Sequence, residues 1–221
     1  MHIDIHNLSF AYGHKTVIQN LSLSLASGDY LVVNGKNGSG KTTLIKCLLG
    51  INPVSSGMIF FDHQDINNFN DWTKFGYVSQ RFESLNYGYP ITVDEFLYIY
   101  SLKRKNQNKR LKLLDKLGIL EIVNENINNL SGGQLQRVFI AKAMLNDPSV
   151  LIFDEPTASI DKMNTQYFYK TINELHEMGI TIILISHNDS LEDMNYTHLL
   201  SMHLDQSFTF LPFEKVEKEA Q

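Results

Sequence analysis

Gly35-Lys36-Asn37-Gly38-Ser39-Gly40-Lys41-Thr42 fits the pattern G-x-x-x-x-G-K-[ST] at every fixed position, and no other stretch constrains the fold as strongly. A phosphate group needs several donors converging on a small anion. Glycines, which lack a Cβ, let the backbone turn tightly so that successive N–H groups face inward. Lys41 adds a point charge for terminal phosphates, and the Thr42 hydroxyl can ligate Mg²⁺. Such a loop has to sit between a strand and a helix. Tyr30-Leu31-Val32-Val33 is an apolar run typical of a buried parallel strand, residues 41–49 read as the helix, and Gly50 is suited to end it. The order predicts an α/β fold.

At 221 residues the chain is long enough for one large domain, or a core with a modest second lobe, without disulfide staples. The net charge of −5 argues against a chain built mainly to hold nucleic acid. Cys47 is the only cysteine, which excludes an internal disulfide. It reads as a small core residue and fits a cytoplasmic setting. The first ten residues show no pattern of a secretory signal. No stretch approaches the 18 or so apolar residues of a membrane span; residues 180–185 are among the longest runs. Work at a membrane would go through a partner.

Ile3, Ile5, Leu8 and Phe10 suggest an opening strand, and Leu21, Leu23 and Leu25 alternate in a second. Tyr12, between them, is either a strand-end aromatic or a platform on which an adenine ring can stack. Residues 58–61 and 75–79 read as further strands, the latter delivering Gln80 to the edge where open α/β sheets place ligand contacts. Thr92-Val93-Asp94-Glu95 is a capping box opening a helix toward Leu102. Leu111, Leu114 and Leu117 mark one face of the next helix, which Gly118 ends. The charged run 103–110 between them reads as a solvated connector. Two helices without strands suggest a helical lobe over residues 81–129.

Leu130-Ser131-Gly132-Gly133-Gln134 then opens a helix that Ser131 can cap, its glycines leaving the N–H groups open to an anion. The chain thus has two anion-binding helix starts but only one phosphate-loop lysine. Residues 150–153 form a buried-type strand ending in Asp154-Glu155. Asp154 can hold Mg²⁺, and Glu155 can accept a proton from, or orient, an attacking water. After Ala158-Ser159-Ile160-Asp161 comes a helix closed by Gly179. The strand 180–185 follows, ending at Ser186-His187 on the ligand edge. Beyond Asn188 no motif directs the path of the chain.

The order of these motifs resembles the ATP-binding cassette of ABC transporters from Ile3 to about Leu211; the Leu-Ser-Gly-Gly-Gln signature ahead of Asp154-Glu155 and His187 is specific to that family. The resemblance implies a P-loop NTPase core with a mostly parallel sheet, an N-terminal antiparallel β part and an inserted helical lobe. Residues 1–80 and 130–211 would form the core and 81–129 the lobe. It also implies ATP and Mg²⁺ as cofactors and a head-to-tail homodimer enclosing two nucleotides. Gly35, Asn37, Gly38, Ser39, Gly40, Lys41, Thr42 and Thr43 of one copy would then face Ser131, Gly132, Gly133 and Gln134 of the other, which accounts for the second anion site. By the same resemblance Tyr12 stacks on adenine and Gln80 reaches Mg²⁺, as Thr42 and Asp154 do. Glu155 is the catalytic carboxylate, Asp161 crosses to the other copy, and His187 contacts the γ-phosphate. Lys36, Ser79 and Tyr196-Thr197-His198 depart from the family pattern, the last leaving the final strands undetermined.

For such a cassette the resemblance implies transmembrane permease subunits docking near residues 80–96, a solute-binding protein acting indirectly, no nucleic acid, and a peripheral place on the cytoplasmic face of a bacterial membrane. Ser84, Asn86, Gly88-Tyr89-Pro90 and Thr92-Val93-Asp94-Glu95 look like the same segment of bacterial zinc and manganese importers, with zinc preferred to manganese. Importers of other small solutes, and a soluble cassette such as an iron–sulfur assembly factor, remain the alternatives. The long coiled-coil insertion of repair cassettes and the paired cassettes of translation factors are both missing from this sequence.

Overall fold

The computed structural model describes residues 1–79, 90–102, 106–157, 161–186 and 191–213. The chain opens with β1 (Ile3–Tyr12), β2 (Lys15–Leu25), β3 (Tyr30–Gly35) and α1 (Lys41–Leu48). Next come β4 (Ile59–Phe61), β5 (Gln64–Asp65) and β6 (Phe75–Val78), then α2 (Val93–Tyr100), α3 (Gln107–Lys116) and α4 (Gly132–Met144). The last elements are β7 (Val150–Asp154), α5 (Lys162–Glu177), β8 (Thr181–Ile185), β9 (His198–Met202) and β10 (Phe208–Pro212).

The strands build two sheets. The smaller, in the order β2-β1-β4-β5, is antiparallel, with Ile3 opposite Leu25, Ile5 opposite Leu23 and Leu8 opposite Leu21. The larger runs β10-β9-β3-β8-β7-β6 and is parallel except where β10 returns along β9. Side chains of a strand alternate between faces, so a sheet covered on both sides needs apolar residues at every position. The apolar runs found in the sequence meet that need. Tyr30, Val32, Leu151, Phe153, Ile182 and Leu184 pack on one side with residues of α2 to α5. Leu31, Val33, Val150, Ile152, Ile183 and Ile185 pack on the other with α1 and the smaller sheet. The path left open at the C-terminus proves to be β9, laid parallel beside β3, and the antiparallel edge strand β10.

The helical segment starts as expected. Thr92 Oγ1 accepts from the Glu95 N–H at 3.2 Å, and Glu95 Oε2 accepts from the Thr92 N–H at 2.8 Å. The expectation of a solvated connector over 103–110 is corrected at its C-terminal half: residues 107–110 are the first turn of α3, and Arg110 is turned inward; residues 103–105 lie outside the described part. Arg110 is buried at 4 % exposure, its Nε and Nη2 donating to the two oxygens of Asp94 at 2.6 and 3.1 Å. The inner face of α3 is therefore Arg110, Leu114 and, one residue beyond the helix, Leu117, whereas Leu111 is only half-buried. A bidentate pair of this kind fixes α2 against α3. Replacing Asp94 by Ala is expected to lower stability by about 3 kcal/mol, the scale for breaking a buried pair from one side. Urea unfolding checks it, and a change below about 0.5 kcal/mol would show that the pair contributes no more than an exposed one.

Candidate nucleotide site

The phosphate loop leaves the C-terminal end of β3, between β8 and β9, and runs into α1. All three of its glycines, Gly35, Gly38 and Gly40, take positive φ, and two of them are also closely approached. Gly35 has φ +152°, and a Cβ there would lie 2.3 Å from the Met202 carbonyl oxygen. Gly40, the N-cap of α1, has φ +103° and sits against Val17. Lys41 turns back under the loop and donates to the carbonyls of Gly35 (2.7 Å) and Lys36 (3.2 Å). Its ammonium is also 3.9 Å from Glu155 Oε1. Burial lowers the Lys41 pKa, while the charges of Glu155 and Asp154 act in the opposite direction. Ser39 Oγ is buried inside the loop without a hydrogen-bond partner among the described residues.

Asn37, Gly38, Gly40, Lys41, Thr42, Thr43 and Glu155, with Val17 from β2, line a cavity of about 360 Å³. Below it lies Asp154 at the tip of β7, approached by the hydroxyls of Thr42 at 3.5 Å and Tyr77 at 3.4 Å. Burial foremost, then the neighbouring Glu155 charge, raises the Asp154 pKa. A buried carboxylate that is costly to ionise, next to a threonine hydroxyl, is a donor set suited to a divalent cation. Glu155 follows in the left-handed region at φ +50°, its N–H bonded to the Ile185 carbonyl at 3.2 Å. A non-glycine residue held there stores on the order of 1–3 kcal/mol of strain. The turn carries the carboxylate off the strand and back toward Lys41.

The predicted residues fall into two groups within the chain. Lys41, Thr42, Asp154 and Glu155 gather around the loop. Ser131, Gly132, Gly133, Gln134 and Asp161 gather at the starts of α4 and α5, and none of them lines the phosphate cavity. Ser131 Oγ accepts from the Gln134 N–H at 3.3 Å, and Gln134 Oε1 accepts from the Ser131 N–H at 3.0 Å, closing a second capping box. Gly132 is half-buried. Gly133 is buried against α5, so the open approach expected at both glycines is limited there by the chain's own packing. Tyr12 stands 48 % exposed outside the cavity lining, its hydroxyl accepting from Asn52 at 3.0 Å. Gln80, His187 and residues 81–89 and 158–160 lie outside the described residues, as does most of the proposed docking segment.

Sequence reasoning missed Tyr77 and Val17. The alternation in Phe75-Gly76-Tyr77-Val78 puts Tyr77 on the face opposite Val78 and was the only local signal for it. Val17 carried none, because β2 is brought to the loop by long-range pairing.

Residues 18–158 match the family described as ABC transporter. The chain belongs to the ABC transporter family. Over 211 residues this ABC cassette is 34 % identical to the zinc uptake system ATP-binding protein ZurA of Listeria monocytogenes, covering 91 % of this chain and 82 % of that one. It is 36 % identical over 188 residues to the zinc import ATP-binding protein ZnuC of Rickettsia conorii, covering 84 % and 76 %. Among solved structures, cbiO1 from Clostridium perfringens, part of the ABC transporter complex cbiONQ, superposes with a TM-score of 0.86 at 26 % identity. That match covers 99 % of this chain and 91 % of the other. The fold is thus the P-loop α/β cassette, with its antiparallel N-terminal sheet and added helices. The cassette is an ATP-binding ATPase of a family coupled to transport.

Proposed function

We propose that this cassette hydrolyses ATP with Mg²⁺ to drive import of a divalent metal ion, zinc ahead of manganese, through a membrane permease. What carries the choice of cargo is the similarity, at 34 % and 36 % identity over most of the chain, to cassettes named for zinc uptake and zinc import. The site suits the nucleotide. The glycine cradle has no room for side chains at Gly35, the buried Ser39 hydroxyl has a free valence for a phosphate oxygen, and Asp154 pairs with Thr42 for the cation. Mg²⁺, when bound, neutralises charge on the β- and γ-phosphates. Lys41 holds the terminal phosphates, Glu155 orients water and receives its proton, Gln80 adds a cation contact, and His187 steadies the γ-phosphate. Tyr12 offers its exposed ring to adenine. Ser131, Gly132, Gly133, Gln134 and Asp161 serve the loop of a second copy, a reading supported by their separation from the chain's own cavity.

Residues 1–80 and 130–211 act as the catalytic core and 81–129 as the lobe that meets the permease around residues 80–96, a solute-binding protein supplying cargo from the far side. Among the described residues no helix is long and apolar enough to cross a membrane, which fits a peripheral subunit on the cytoplasmic face. In cells lacking the protein and any redundant importer, growth in chelator-treated medium is expected to fail and to recover on adding zinc or manganese. Uptake of labelled zinc should fall more than uptake of labelled manganese. Unchanged uptake of both metals would reject the cargo and leave the ATPase standing.

A further inference from the structure

We propose that Asn164 is a positioning residue, which locks the start of α4 to Asp161 so that both present themselves to a second copy as one rigid unit. The inference rests on the two-fold reading above and adds a residue that no family motif singles out. Asn164 lies half-buried in the first turn of α5. Its backbone N–H donates to Asp161 Oδ1 at 2.9 Å and its Nδ2 to Asp161 Oδ2 at 2.7 Å, so one residue holds both oxygens of the carboxylate. The other end of the same amide is pressed against α4. A Cβ built on Gly133 would lie 2.3 Å from Asn164 Oδ1 and 2.5 Å from its Cγ.

That contact gives Gly133 a reason inside its own chain: the amide that orients Asp161 fills the space a methyl group would need. A second tie runs in parallel. Arg137 Nε donates to the Gly133 carbonyl at 3.2 Å, and its guanidinium stacks 4.7 Å from the Tyr167 ring. The Tyr167 hydroxyl in turn donates to the Leu117 carbonyl at 3.0 Å. Asn164 and Arg137 thus fasten α4 to α5 on either side of Gly133. Donors and carboxylates that meet a substrate need placement to a fraction of an ångström, and a misplacement of 1 Å can cost about a hundredfold in rate.

The test uses the full chain. Asn164→Ala is expected to lower kcat for ATP hydrolysis at least tenfold while KM, set by the chain's own phosphate loop, stays within twofold. Placed on a Glu155→Gln chain, it should weaken ATP-dependent dimerisation at least tenfold by sedimentation, with the melting temperature unchanged. Wild-type kcat and dimerisation in Asn164→Ala would overturn the proposal. If the Glu155→Gln chain alone forms no dimer with ATP, the two-fold reading fails, and the role of Asn164 falls with it.

Discussion

Glu155→Gln is expected to bind ATP as the wild type does and to hydrolyse it at least about a hundredfold more slowly, the scale for loss of a positioned general base. The substitution keeps the shape of the side chain and the bond from the residue-155 N–H to the Ile185 carbonyl, so the left-handed turn at φ +50° is retained. What disappears is the charge facing Lys41 and the atom able to take a proton. Asp154 cannot stand in. It is only 4 % exposed and lies against the Thr42 and Tyr77 hydroxyls, where the proposed function commits it to the cation. Phosphate release at saturating ATP, with nucleotide binding measured separately, reads the two effects apart. Turnover near the wild-type rate would remove Glu155 from the mechanism.

Mixing two inactive chains is expected to restore hydrolysis. Lys41→Ala damages the loop group and Ser131→Arg the α4 group, which lie apart within one chain. In a head-to-tail dimer of the two variants, one site collects both lesions and the other collects neither. With equal mixing, half the dimers are mixed and each has one intact site of two, so recovery should approach about a quarter of wild-type activity if sites act independently. Ser131→Arg also removes an N-cap, a loss of about 1 kcal/mol, so circular dichroism must show the chain folded. Inactivity in a mixture with demonstrated heterodimers would reject the shared site.

Both groups were legible in the sequence because phosphate chemistry demands fixed residue types at fixed spacing, and because capping boxes are local. Ser131 and Gln134 close theirs within four residues, as Thr92 and Glu95 do. The unread parts depend on partners far along the chain. Arg110 looked solvent-facing until Asp94, on the preceding helix, was placed beside it. The start of β9 is fastened by Thr197, whose N–H donates to the Tyr30 carbonyl at 2.8 Å and whose hydroxyl accepts from the Tyr30 N–H at 2.9 Å. Nothing near Thr197 in sequence announces that pairing. The two-residue strand β5 exists only because β4 offers it an edge. Asn164 sits in an ordinary helical turn, and its meaning comes entirely from Gly133.

The placement of β3 between β8 and β9 sets a schedule for the growing polypeptide. The strand that carries the phosphate loop leaves the ribosome well before its hydrogen-bonding neighbours, which begin at Thr181 and His198. At ordinary elongation rates the interval is on the order of ten seconds, far longer than local helix or hairpin formation takes. Throughout it, Tyr30, Leu31, Val32 and Val33 have no sheet to enter and offer two bare edges to any other nascent strand. A ribosome that stalls before residue 181 therefore releases a chain with all of the phosphate loop and neither of the strands that flank it. The ability to hold a nucleotide therefore waits on β8 and β9, which are made long after the loop that they frame.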